Sequence, residues 1–214
     1  MILKKAIISN YRGINGPVEV KFNSFNCIVG QNDAGKSTIL RAIDASLNET
    51  TLTRSDYNVL ATDNQISVEL YFHCNNMQIA LGEEILTTIE AEELTNQDGL
   101  LVWKKTWVVT ETAIGKPKTS IVRKKYVENN DFIFKTEAQL INLCNTPAIE
   151  TSKGNGEEYN NVEKREKLRA FYVKGIAFSY EIEDLPATGN TKSKIMGDAI
   201  KKALPIFHLQ VFLS

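Results

Sequence analysis

Residues 2–9 read as a β-strand, and alternating apolar positions over 18–22 predict a second one. The turn-rich run Asn10-Tyr11-Arg12-Gly13-Ile14-Asn15-Gly16-Pro17 connects them. Residues 25–29 are a short apolar run that predicts a buried third strand, after which the period changes: Ile39, Leu40, Ile43 and Leu47 recur at helical spacing from a start near Lys36. Further on, residues 65–72 predict a long alternating strand, 85–94 a short acidic helix, and 100–110 with 121–127 a β-hairpin around Gly115-Lys116-Pro117-Lys118. Residues 136–144 predict a short helix closed by Pro147, 151–156 a glycine-rich loop, and 159–172 a charged helix whose apolar stripe is only partial. Its Glu, Lys and Arg residues read as a solvated face with i to i+4 pairs. After a breaker at 185–190, residues 193–204 return as an amphipathic helix.

Between the third strand and the first helix lies Gly30-Gln31-Asn32-Asp33-Ala34-Gly35-Lys36-Ser37-Thr38, which fits the phosphate-binding pattern G-x-x-x-x-G-K-[ST] at every fixed position. Glycines let the backbone turn so that successive N–H groups, those of Asn32, Asp33, Ala34 and Gly35 among them, point inward and wrap a phosphate chain. The helix adds its unpaired first-turn amides and its positive dipole end. Lys36 supplies a charge for the β- and γ-phosphates, the Ser37 hydroxyl can ligate the accompanying Mg²⁺, and Thr38 can donate to the α-phosphate. The pattern predicts ATP with Mg²⁺ as the ligand.

Composition narrows the setting. The 214 residues suffice for one domain with a sizeable core, and 43% hydrophobic with 24% charged residues is ordinary for a globular protein. A formal charge of -1 gives no global attraction to nucleic acid or to a membrane, so any basic surface must be local. Cys27, Cys74 and Cys144 form no C-x-x-C pair, which argues against a disulfide framework or a zinc site and suits a reducing compartment. No apolar run approaches the length of a membrane span, and the expectation is a cytoplasmic protein without a signal peptide or a membrane partner.

The order of strand, Asn10-Tyr11-Arg12, strand and Gln31-Asn32-Asp33-Ala34-Gly35-Lys36-Ser37-Thr38 resembles the N-terminal part of ABC-type ATPases of the RecF, SMC and OLD (overcoming lysogenization defect) group. The form Asn32-Asp33-Ala34-Gly35-Lys36-Ser37 is most similar to the OLD branch, which Ser55-Asp56-Tyr57 and the strand at 65–72 also resemble. The resemblance implies an α/β P-loop NTPase, an ABC-type ATPase head with a mixed β-sheet and a β-rich lobe. Residues 1–50 would carry the first strands, the phosphate (Walker A) loop and the first helix, 51–135 the β-rich lobe, and 136–214 a mostly helical segment with a terminal strand. It further implies Arg12 near the nucleotide phosphates, Asn32 shaping the loop, ATP held between two heads of a homodimer, and DNA processing or anti-phage defence coupled to head closure. A Ser- and Gly-rich signature loop and a Walker B strand ending in Asp-Glu belong to such ATPases. Neither is found, so the expectation is a partial head that binds nucleotide better than it hydrolyses it. Gln65, Gln139 and Gln210 are equal candidates for a γ-phosphate sensor.

Other chemistry is sparser. Glu181-Ile182-Glu183-Asp184 is the nearest acidic cluster, but it reads as a solvated helix end. On the predicted hairpin Trp103, Lys105 and Trp107 share a face, and Lys116, Lys118, Arg123, Lys124 and Lys125 make a local basic patch. That patch is open to two readings, a DNA contact or a sheet edge whose tryptophans pack inward. His73 and His208 read as packed residues rather than metal ligands. A P-loop kinase or GTPase would share the glycine-rich loop, but no Asn-Lys-x-Asp guanine reader is present; a non-catalytic DNA- or protein-binding module is the other alternative.

Overall fold

The alternating N-terminus forms strand β1 (Ile2–Ser9), which turns back through residues 10–16 and pairs antiparallel with β2 (Pro17–Lys21), Ile8 opposite Val18. The computed structural model describes residues 1–24, 26–28, 35–48, 50–81, 86–127, 131–145, 149–172, 176–189 and 191–206. Within these, β3 (Gln65–His73), β6 (Leu101–Val108), β7 (Lys118–Tyr126) and β8 (Phe178–Leu185) complete a six-stranded sheet in the order β2-β1-β3-β6-β7-β8. Every neighbouring pair is antiparallel. The expected mixed sheet is thus antiparallel throughout its described strands. The short strands β4 (Gln78–Ala80) and β5 (Leu86–Thr88) pair separately.

The two faces of the sheet differ as a period of two requires. Ala6, Ile8, Ile66, Val68, Leu70, Phe72, Trp103, Trp107 and Ile121 are buried on one face, against helices α1 (Lys36–Leu47) and α4 (Lys192–Ala203). Gly197 lets α4 close on β8, since a Cβ there would lie 3.2 Å from the Leu185 Cβ. The opposite face is an ionic lattice, with Lys5 on Glu19 at 3.3 Å and Lys104 on Glu69 at 2.8 Å. Helices α2 (Glu137–Asn145) and α3 (Asn161–Tyr172) pack together around a smaller cluster of Phe132, Leu140, Cys144 and Leu168.

Several expectations are corrected. Residues 26–28 of the predicted strand at 25–29 are irregular and Cys27 is exposed; residues 25 and 29 lie outside the described residues. A strand needs a neighbour to satisfy its amides, and here the Asn26 side chain instead bonds the Asn23 backbone N–H and carbonyl at 2.8 and 2.9 Å. Residues 86–94 of the acidic helix predicted at 85–94 are strand β5 followed by turns, with Glu93 at φ +58°; residue 85 lies outside the described residues. Its apolar residues Ile89 and Leu94, five positions apart, are both buried, and the Leu94 N–H donates to the Ile89 carbonyl at 3.0 Å, a closure of the turn rather than a helical bond. Glu181, Glu183 and Asp184 lie on a strand rather than at a helix end, because β7 offers both a backbone edge and cations: Lys125–Glu181 at 3.2 Å, Arg123–Glu183 at 3.1 Å and Lys118–Asp184 at 2.8 Å.

The charged face of α3 is not simply solvated either. Arg165 and Arg169 hold Glu92 at 2.6 and 2.7 Å, and the Glu92 side chain is 0% exposed. His73, at the end of β3, is exposed rather than packed. His208, Gln210, Pro147 and most of the predicted terminal strand lie outside the described residues.

Candidate nucleotide-binding site

Gly35 stands at the entry to α1 with φ +82° and ψ 4°, a left-handed conformation that a side chain would strain. Lys36 is the first helical residue, followed by exposed Ser37 and half-buried Thr38. The helix has no side-chain cap and no acidic residue in its first turn. Its leading amides and positive dipole end therefore meet no carboxylate of their own turn, which is the state an anion site requires. The other end is anchored: Ala42, Ile43, Ala45 and Ser46 are buried in the core, and the Trp103 indole donates to the Ser46 carbonyl at 3.4 Å. Asn32, Asp33 and Ala34, with Gly30 and Gln31, lie outside the described residues.

Arg12 belongs to a second cluster. Its backbone is left-handed at φ +49°, its N–H donates to the Asp56 carbonyl at 2.8 Å, and its Nε and Nη2 both reach Asp56 Oδ1 at 2.8 Å. Asn58 Nδ2 donates to the Arg12 carbonyl at 2.6 Å. Asn10, also left-handed, accepts from Gly16 N–H at 2.9 Å and donates to the Gln65 carbonyl at 3.0 Å and to Asp63. These bonds hold two non-glycine residues in a conformation that costs energy, so the turn is fixed from outside itself.

Asp56 also closes a capping box with Thr53, whose N–H it accepts at 2.8 Å. Burial pushes the Asp56 carboxyl up, but the Thr53 amide and Arg12 outweigh it and hold it below the ordinary carboxylate range. For Arg12 the same balance runs the other way: burial works against its charge, and Asp56 with Tyr11 more than restores it. Neither Asp56 contact uses Nη1. Tyr11 links the cluster to α1: its phenol is raised by burial, with the charges of Arg12 and of Arg41 on α1 acting in opposition.

The structure thus brings Gly35, Lys36, Ser37 and Thr38 to one helix end and Arg12 onto Asp56. Asp56 lies in the stretch Ser55-Asp56-Tyr57 that resembles the OLD branch, but its pairing with Arg12, 44 residues away, is invisible in the sequence. So are the roles of Asn10 and Asn58; Asn10 and Arg12 flanking Tyr11 were the one available hint of a special turn. Among the described residues no group of three or more His, Cys, Asp or Glu could hold a metal.

The profile of the AAA ATPase domain matches residues 1–206. The chain belongs to that family. A search of curated proteins found no match. Membership makes the chain a P-loop NTPase with ATP-binding activity, in the family found in RecF- and SMC-like ATPases. AAA ATPases generally bind ATP with Mg²⁺. The donor set fits that ligand: uncapped helix amides, a lysine at the first helical position and an exposed hydroxyl beside it are phosphate and Mg²⁺ partners. No helix among the described residues is long and apolar enough to cross a membrane.

Proposed function

We propose that this AAA ATPase domain is the ATP-binding N-terminal portion of an OLD-like, ABC-type ATPase, serving DNA processing or defence against foreign DNA as a homodimer of heads. The supporting observation is the uncapped, acid-free start of α1 at Gly35-Lys36-Ser37. In this reading Lys36 neutralises the β- and γ-phosphates, Ser37 ligates Mg²⁺, and Thr38 donates to the α-phosphate. The amides of Asn32, Asp33, Ala34 and Gly35 wrap the chain, and Arg12 contributes Nη1 from its seat on Asp56. Bound Mg²⁺-nucleotide would supply the electrophilic phosphorus; the residues named here bind and orient it.

Binding should outrun hydrolysis. The acidic cluster of β8 is engaged with Lys118, Arg123 and Lys125 and so does not serve as a Walker B acid. The same ladder weakens the reading of the hairpin as a DNA contact, because Lys118, Arg123, Lys124 and Lys125 pair with the protein's own carboxylates. Calorimetric titration with Mg-ATP and Mg-GTP tests the proposal. ATP-selective binding that Lys36→Ala abolishes is expected. Equal affinity for GTP, or robust turnover by the chain that Lys36→Ala abolishes, would overturn it.

A further inference from the structure

A cavity of about 340 Å³ opens where the first turns of α3 and α4 face the segment leading into α2. Three cationic side chains line it, those of Lys135, Arg165 and Lys192, against the single carboxylate of Glu137. That carboxylate is engaged with Lys164 at 3.2 Å. Glu92 takes Nε and Nη2 of Arg165 and leaves Nη1 outside the clamp. The Lys192 ammonium donates to the Lys135 carbonyl, a neutral partner.

The remaining lining is of two kinds. Ile133 and Met196 supply an apolar wall. Asn161 has its side-chain carbonyl buried with no hydrogen-bond partner among the described residues, an unfavourable state that a donor on a ligand would relieve. Glu92 compensates Arg165 only, and burial, then the charges of Arg165 and Lys135, push the Lys192 ammonium below its ordinary range. Lys192 also opens α4, where the helix dipole disfavours a cation and favours an anion.

We propose that this cavity binds a small organic monophosphate. Its dianion sits among Lys135, Arg165 and Lys192, its body lies on Ile133 and Met196, and a hydroxyl or amino group donates to Asn161 Oδ1. Two lysines, Lys135 and Lys192, that meet no carboxylate among the described residues, beside the Nη1 edge of an Arg165 already held by Glu92, suit a dianion better than a carboxylate ligand. A half-open recess of this volume with an apolar wall suits a small molecule rather than a nucleic-acid backbone, which needs an extended groove. The residues that line it are distinct from the α1 terminus proposed for ATP.

The test is calorimetry with 4-aminophenyl phosphate, which carries the dianion, the apolar ring and the donor, beside inorganic phosphate. Saturable binding is expected, weakened at least about tenfold by Lys192→Gln, the worth of one charge-assisted hydrogen bond, and unchanged by Lys36→Ala. A second readout guards against misfolding: without any anion Lys192→Gln should raise Tm by relieving repulsion, and it should lose the ligand-induced rise seen in the parent. No binding up to about 10 mM, equal affinity in Lys192→Gln, or loss in Lys36→Ala alone would overturn the site. Inorganic phosphate binding as tightly as the aryl phosphate would overturn the organic ligand.

Discussion

Replacing Glu92 by alanine strips the most deeply buried charge cluster of its centre. The carboxylate accepts from Arg165 Nε at 3.0 Å and Nη2 at 2.6 Å, from Arg169 Nη2 at 2.7 Å and from the Thr87 hydroxyl at 2.9 Å. Its side chain is 0% exposed, and those of Arg165 and Arg169 are 8% and 12% exposed, so solvent screening offers little relief. Breaking a buried pair from one side costs about 3–5 kcal/mol because the partner is left uncompensated, and here two guanidiniums are left. About 4 kcal/mol is expected, which for a chain of this size lowers Tm by roughly 8–16 °C.

The pH dependence has a definite sign. Burial raises the Glu92 carboxyl, but the bonds and charges of Arg165 and Arg169 outweigh it and hold it below the ordinary value of 4.5. A depressed acid contributes stability above its unfolded value and loses it as pH falls through the folded one. The gap between parent and Glu92→Ala should therefore be full at neutral pH and close only below about pH 4.5. Thermal unfolding followed by circular dichroism at pH 7 and pH 3.5 measures both. A variant melting within about 2 °C of the parent at pH 7, less than the shift from a 1 kcal/mol loss, would refute the reasoning.

Asp56→Ala removes a capping box worth about 1 kcal/mol. It also removes the anchor of Arg12, whose side chain is 37% exposed and whose ion pair is accordingly weak. Urea unfolding should show a loss of roughly 1–2 kcal/mol, and Mg-ATP affinity should fall as it does in Arg12→Ala; unchanged affinity in Arg12→Ala would remove Arg12 from the site. Among the cysteines, Cys27 is exposed, whereas burial pushes the Cys74 thiol up to about 11 and raises Cys144. Alkylation at pH 8 read by mass spectrometry should label Cys27 first, and early labelling of Cys74 would contradict its place in the core.

What the sequence conveyed follows from which forces are local. The alternation in residues 65–72 and 100–110 survives as β3 and β6, because a period of two places Leu70 and Trp103 on the buried face whatever the partner strand. The spacing of Ile39 and Ile43 likewise yields α1. Charge carries no such signature. Lys164, Arg165 and Arg123 looked like solvent-facing residues, yet each is buried with a carboxylate from elsewhere in the chain: Glu137, Glu92 and Asp131. Nothing in a single sequence marks Arg165 as the partner of Glu92, 73 positions away. The same blindness turned residues 85–94 into an expected helix, since its acidic residues read as solvated when one is a buried clamp. Of the candidate site, the glycine, lysine and serine were legible as a spacing, and the seat of Arg12 was not.

That pairing bears on how a nucleotide would be captured. With a formal charge of -1 the chain has no long-range field to draw ATP in. The cations of β7 could have made a local one, but Lys118, Arg123, Lys124 and Lys125 are all matched by carboxylates within 3.2 Å. In the proposed site, attraction for a phosphate chain would therefore rest on short-range groups: the Lys36 ammonium, the uncapped amides of α1 and Arg12 Nη1. Such groups act only where they are held, which would give the anchoring of α1 a function in the proposed site. Ser46 and its neighbours fix the helix against Trp103, so that the end carrying Lys36, Ser37 and Thr38 points outward from a rigid base. Recognition at the proposed site would accordingly be a matter of a few aimed charges and amides rather than of charge excess.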